Sequence, residues 1–184
     1  MRCRKASNLG AYLVMVFSLL SQACGYHTGG KADTMPQSIK TIAVVPFKNL
    51  TTRYALPDTL QQAITREFIA RTRFQIVNDQ DQADAVLNGA INQALTAPIV
   101  FDPASGKATE VQVLVVMQLE LKDRKTGKVL FSRPTFTTQN VYEVANSSNI
   151  ALAEHEYFDE SSASLNRLSR DVARNVVSGI LEDF

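Results

Sequence analysis

Val111, Val113, Val115, Met117, Leu119 and Leu121 alternate with Gln112, Leu114, Val116, Gln118 and Glu120. Successive side chains of an extended chain point to opposite sides, so an apolar residue at every second position predicts a strand with one dry face. No helical period fits this run. Whatever this chain folds into must therefore cover one face of a long, straight strand.

The flanking segments share its character. Leu87, Gly89, Ile91, Gln93, Leu95, Ala97 and Ile99 alternate with Asn88, Ala90, Asn92, Ala94 and Thr96, which predicts a strand with the first set on a single dry face. Asp102-Pro103-Ala104-Ser105-Gly106 turns the chain between these two strands. Asp123-Arg124-Lys125-Thr126-Gly127-Lys128 turns it again, with a glycine suited to positive φ. Val129 to Val144 then reads as a third long strand. Pro134 within it cannot donate to a ladder, so this strand is expected at a sheet edge or bulged at that residue.

Upstream, Ile39 to Phe47 is apolar and β-branched enough for a strand buried on both faces, ending at Pro46. The polar turn Asn49-Leu50-Thr51-Thr52 leads to Pro57-Asp58, which suit a helix's first turn. Leu56, Leu60, Ile64 and Phe68 then recur every fourth residue, with Gln61, Gln62, Arg66, Glu67 and Arg71 mostly on the opposite side. Phe74 to Val77 is a short strand, so strand, helix and strand predict a parallel crossover. At the far end Leu165, Leu168, Val172, Val176 and Ile180 mark a second amphipathic helix ending near Leu181. Ala145 to Ser162 has no consistent period beyond a helical turn at Ile150-Ala151-Leu152-Ala153.

These elements predict an α+β fold: a two-layer sandwich with two helices packed on one face of a mixed sheet that contains a long antiparallel meander. The other sheet face is exposed or docks something, and Leu114 and Val116 are the aliphatic positions on it.

The chain's beginning has a different grammar. Arg2, Arg4 and Lys5 precede an apolar run, Ala11 to Leu20, broken only by Ser18 and followed by Ser21-Gln22-Ala23-Cys24. An apolar core too short to span a bilayer of about 30 Å reads as a secretory signal, residues 1–23, and not as a transmembrane helix. Ala23-Cys24 resembles the junction cut by lipoprotein signal peptidase, which implies lipid attachment at Cys24 although Ser21 stands where that pattern has an aliphatic residue. Residues 24–38 read as a lipidated tether, rich in Gly, Thr, Pro and Ser, and residues 39–184 as a single domain.

Composition narrows the chemistry. The chain has 19 Lys and Arg against 18 Asp and Glu, and loss of Arg2, Arg4 and Lys5 with the signal leaves 16 against 18. No basic field favours nucleic acid. Of the two cysteines, Cys3 leaves with the signal and Cys24 is expected to be lipidated, which leaves no thiol for a disulfide, a metal or nucleophilic catalysis. There is no glycine-rich phosphate loop, and His27 and His155 have no ligand cluster beside them, so no cofactor, metal or enzyme activity is expected. Glu154, Glu156, Asp159 and Glu160 precede a helix and read as dipole-facing or solvated carboxylates. The cationic turn Arg124, Lys125 and Lys128, with Lys107 in the preceding loop and Arg133 in the next strand, is a candidate meeting place for phosphates or sugar acids near one end of the meander.

The order of features resembles the lipopolysaccharide-assembly lipoprotein family LptE. Cys24-Gly25-Tyr26-His27 is similar to that family's opening after the lipid-bearing cysteine, and Gly25 points by resemblance to delivery to the outer membrane. Ile42-Ala43-Val44-Val45-Pro46-Phe47-Lys48-Asn49 resembles its first strand and turn, and Ala83 to Gly89 the start of its third strand. The resemblance implies a plug inside the β-barrel translocon LptD that assists its assembly, binds lipopolysaccharide and helps deliver it to the outer leaflet. It implies no enzyme activity. By the same resemblance Lys107 matches a basic residue of the first meander loop, whereas Glu154 stands where some members have a basic residue after an Ala-Leu-Ala segment. Lys107, Arg124, Lys125 and Lys128 are the candidate lipopolysaccharide contacts. The stretch Ile42 to Asn49 also resembles the start of curli-secretion and penicillin-binding-protein-activator lipoproteins, which supply the alternative function.

Overall fold

The computed structural model of the protein describes residues 35–106, 108–143 and 162–184. Its strands are β1 (Thr41–Val44), β2 (Lys48–Asn49), β3 (Gln75–Val77), β4 (Ala85–Phe101), β5 (Ala108–Asp123) and β6 (Val129–Glu143). The helices are α1 (Leu56–Arg71) and α2 (Ser162–Glu182), with a short 3-10 turn at Gln80–Gln82. Strand order is β3-β1-β4-β5-β6, and β2 adds to β4 beyond the end of β1. β1 is parallel to both β3 and β4, while β4, β5 and β6 form the antiparallel meander. The sheet is mixed and carries both helices on one face, as the alternating strands and the two amphipathic periods require.

The alternating row of β5 is the floor of the core. Val111, Val113, Val115, Met117, Leu119 and Leu121 are each at most 1 % exposed. Above them lie Leu56, Leu60, Ile64 and Phe68 of α1 and Leu165, Leu168, Val172, Val176 and Ile180 of α2, all in one apolar cluster. Each fully buried aliphatic or aromatic side chain contributes about 1.5–3 kcal/mol relative to exposure, so the helices are held by this row more than by their own propensity. β1 is buried on both faces: Ile42 and Val44 join the main core, and Ala43 packs with Ala83 and Val86 on the reverse side. Met35, inside the stretch read as tether, is also buried in the core, where a turn closed by Ile39 N–H donating to Pro36 O at 2.9 Å folds the chain onto it.

β4 departs from the simple alternation. Ile91 pairs with Met117 but Gln93 pairs with Val116, so Asn92 is an extra residue in β4. An extra residue reverses the faces of everything beyond it. Ala94, Thr96 and Pro98 therefore lie opposite Val115, Val113 and Val111 on the helix side, while Leu95 and Ala97 turn outward, and Ile99 is a second extra residue between Pro98 and Val100. The single dry face expected for Leu87 to Ile99 is thus corrected to two half-faces joined at a bulge. Past Ile91, β4 has no neighbour on its β1 side among the described residues, and Pro98 sits in this open stretch where a missing N–H is tolerated. Pro134 meets both expectations, since β6 is the last strand and its register shifts between Met117–Phe136 and Leu119–Arg133.

Gly89 shows why one position in β4 admits no side chain. A Cβ there would lie 2.9 Å from the backbone oxygen of Gln118 and 3.0 Å from the ring of Phe47, which is itself buried. Gly89→Ala is expected to destabilise the fold by about 1–3 kcal/mol, the usual cost of overpacking. Adding Phe47→Leu should recover part of the loss by relieving the ring contact, and equilibrium denaturation of the parent and the two variants checks both expectations.

Candidate functional site

The four candidate cations do not gather. Arg124, Lys125 and Lys128 belong to the β5–β6 turn, whereas Gly106 and Ala108, which flank Lys107, mark the opposite end of β5. Sixteen residues of strand separate them, roughly 50 Å at about 3.3 Å per residue. Lys107 itself lies outside the described residues, as do Cys24, His27, His155, Glu154, Glu156, Asp159 and Glu160. The expectation of positive charge collected at one end of the meander is thus corrected by its geometry, because a turn before β5 and a turn after it stand at opposite ends of the strand.

The β5–β6 turn is built by Asp123. Its Oδ1 accepts the backbone N–H groups of Lys125 at 2.8 Å and Thr126 at 3.0 Å, and Gly127 takes the expected positive φ, 69°. Two of its cations then reach inward to the start of β4. Arg124 Nε donates to Ala83 O at 2.7 Å, and Lys125 Nζ lies 3.0 Å from Asp84 Oδ1. The other carboxylate oxygen of Asp84 accepts from Lys40 N, Thr41 N and Thr41 Oγ1 at 3.1, 3.2 and 3.1 Å. One carboxylate thereby ties β1, β4 and the turn together. The Lys125 ammonium, with the Lys40 and Thr41 donors behind it, holds the Asp84 carboxyl well below the usual carboxylate range. Lys128 is exposed, with no side-chain partner among the described residues. Arg133 lies on β6, where it pairs with Asp183 at 2.7 Å and covers the ring of Phe131.

A second surface lies on the sheet face away from the helices. Leu95 faces Leu114 across the ladder, and Ala97 and Val141 flank Gln112 one step further along. Leu95 is 54 % exposed and Val141 51 %, with Leu114 and Val116 half-buried between them. Ile99 and Phe101 continue this exposed apolar character toward the β4–β5 turn. The surface toward the other end is polar, a groove of about 440 Å³ lined by Lys48, Asn88, Gln118, Glu120 and Lys122 among others. Leu114 and Val116 were legible from their strand; Leu95 and Val141 join them only because of the bulge and the β6 register. Among the described residues no group of three His, Cys, Asp or Glu could hold a metal ion, and no helix is long and apolar enough to cross a membrane.

A fold whose helices cover one sheet face and whose long meander shows an aliphatic strip on the other suits binding. Residues 39–180 match the family model LptE, described as lipopolysaccharide-assembly. The chain belongs to the LptE family. The match runs from just before β1 into the last turn of α2, so it covers nearly all of the packed unit. No curated protein matches the chain. Protein XCC0632 from Xanthomonas campestris shares 14 % identity at a TM-score of 0.51, over 79 % of this chain and 85 % of that one, and supports the fold. Similar at lower scores are the PelC dodecamer from Paraburkholderia phytofirmans (17 % identity, TM-score 0.45, 84 % and 94 % covered) and the rare lipoprotein B from Shewanella oneidensis (12 %, 0.43, 77 % and 91 %).

The LptE-like stretches have visible physical work. Within Ala83 to Gly89, Asp84 supplies the carboxylate that joins three elements and Gly89 the close approach under Phe47. At the end of the Ile42 to Asn49 stretch, Asn49 Oδ1 accepts from Thr51 N at 3.0 Å while its Nδ2 donates to Arg53 O at 3.0 Å, which shapes the turn into α1. Asp84→Asn in this LptE chain is expected to cost about 1–2 kcal/mol at neutral pH through loss of charge-assisted hydrogen bonds. The folded pKa is depressed, so the parent's advantage is complete above the unfolded carboxyl's value of about 4 and shrinks as pH falls below it. Melting curves of parent and variant that converge on acidification check the sign.

Proposed function

We propose that this LptE-family chain is an outer-membrane lipoprotein, anchored through Cys24, that plugs an LptD-like β-barrel, assists its assembly and helps deliver lipopolysaccharide to the outer leaflet. It acts by binding and not as an enzyme. The observation that carries the reading is the family match over residues 39–180. The strip formed by Leu95, Leu114 and Val141 gives it a physical surface: aliphatic groups on a rigid ladder can lie against a barrel wall with little loss of chain entropy on binding. Lys107 and Lys128 are the candidate contacts whose chemistry suits phosphorylated glycolipid most directly. Arg124 and Lys125 would have to serve that ligand while also holding Ala83 and Asp84.

Capture of the native protein from solubilised membranes should bring down a large β-barrel partner, and Leu95→Glu/Leu114→Glu/Val141→Glu should lose that partner while keeping its melting transition. A self-assembled ring or a co-isolated peptidoglycan synthase would instead favour the curli-secretion-like or synthase-activator reading. Lipopolysaccharide binding measured at several salt concentrations should weaken in Lys107→Gln/Lys128→Gln, because screening and charge removal act on the same contacts. Unchanged binding would remove these lysines from the model without touching the barrel role. Mass spectrometry of the mature amino-terminal peptide should show an acylated Cys24, and an unmodified cysteine would end the lipoprotein reading.

A further inference from the structure

The helix layer has an outward face that neither the core nor the barrel reading uses. On α2, Arg167, Arg170 and Arg174 follow a three-and-four spacing and are all exposed, on the side turned away from buried Leu168, Val172 and Val176. On α1, exposed Arg66 lies on the side turned away from buried Leu60, Ile64 and Phe68. The two helices touch along Thr59–Ser169 (2.9 Å between hydroxyls) and Arg71–Ser178 (2.7 Å), so their outer sides form one platform. Two of its carboxylates are already engaged, Glu67 with Arg71, and Asp171 with the hydroxyl of Tyr142 at 2.9 Å and, more loosely, with Arg174 at 3.7 Å, while exposed Asp58 at the start of α1 and exposed Glu182 at the end of α2 offset part of the positive charge. Arg167 and Arg170 have no ion-pair partner among the described residues.

We propose that this arginine platform, Arg66, Arg167, Arg170 and Arg174, binds the anionic phosphate headgroups of the membrane to which the chain is tethered and so sets the helix layer toward that membrane. Guanidinium groups grip phosphate oxygens in pairs, and cations spread over a surface gain from a lipid array without any pocket. An acidic protein partner is the less favoured occupant. Protein interfaces concentrate their energy in buried anchors, and the only large apolar side chain exposed on the two helices, among the described residues, is Ile69. The tether keeps the array within reach, since the eleven steps from Cys24 to Met35 span at most about 40 Å at roughly 3.3–3.6 Å each. The inference rests on the lipid-anchored reading for this proximity and on nothing in the barrel reading.

The chain has no tryptophan, so one can be placed as a lone reporter. Purified mature Ile69→Trp protein is mixed with vesicles of phosphatidylcholine and phosphatidylglycerol carrying a headgroup quencher, and compared with Gln139→Trp on the opposite sheet face. Quenching is expected at Ile69→Trp and not at Gln139→Trp, with the difference lost at about 1 M salt, where the screening length falls to about 3 Å. It should also be lost in Arg66→Gln/Arg167→Gln/Arg170→Gln/Arg174→Gln and partly restored by Lys at the same four positions. Equal quenching at the two reporters, survival of the difference in the Gln variant, or the same difference on pure phosphatidylcholine overturns the proposal. Capture of an acidic protein that depends on the four arginines, without headgroup quenching, overturns it in favour of a protein partner. Flotation with neutral vesicles at high salt reads the acyl anchor separately, so a failed anchor and a failed platform give different results.

Discussion

The structure depends on burying one row of side chains, the alternating residues of β5 from Val111 to Leu121. β5 is the strand with long neighbours on both sides and both helices above it, so its inner row meets every layer of the core. A carboxylate at any of these positions would place an unpaired charge in an apolar interior, a cost comparable to the stability of an entire small domain. The remaining elements follow from serving that row. β4 and β6 complete its ladders, α1 and α2 close it from above, and β1 with β3 extends the floor beneath α1.

Reading this architecture from the chain worked where local period and burial agree. The inward residues of α1 and α2 are those named by their spacing, and Gly127 adopts the positive φ its turn implies. It failed where a distant partner decides. Nothing in Ile91-Asn92-Gln93 announces a bulge, because its position is fixed by the register with Met117 and Val116. The outward turn of Leu95 therefore stayed hidden, and with it half of the apolar strip. Asp84 reads locally as a polar residue before a strand, yet its partners stand 41 to 44 positions away. Met35 looked like linker because its neighbours are polar, although one large side chain is enough to bring such a stretch into the core.

The candidate surfaces divide the molecule by chemistry. Aliphatic side chains lie on the sheet face away from the helices toward the β4–β5 turn, and Lys128, in one turn with Arg124 and Lys125, stands at the other end of the meander. Arginines occupy the reverse side, above the helices. The proposed contacts with a barrel wall, a charged glycolipid and a membrane call for three surfaces that do not compete. A two-layer sandwich separates them, because each layer hides one face and leaves one free.

Pro134 has a further consequence for the life of the chain before it meets a partner. β6 ends the sheet with fifteen residues and, among the described residues, no strand beyond it. Such an edge is a template on which identical chains can stack without limit. The proline and the irregular register beside it divide that template into Val129–Arg133 and Thr135–Glu143, two short pieces that do not share one straight ladder. Fibre growth needs a continuous, flat docking strand, and one imino acid at an edge withholds it at no cost to the core.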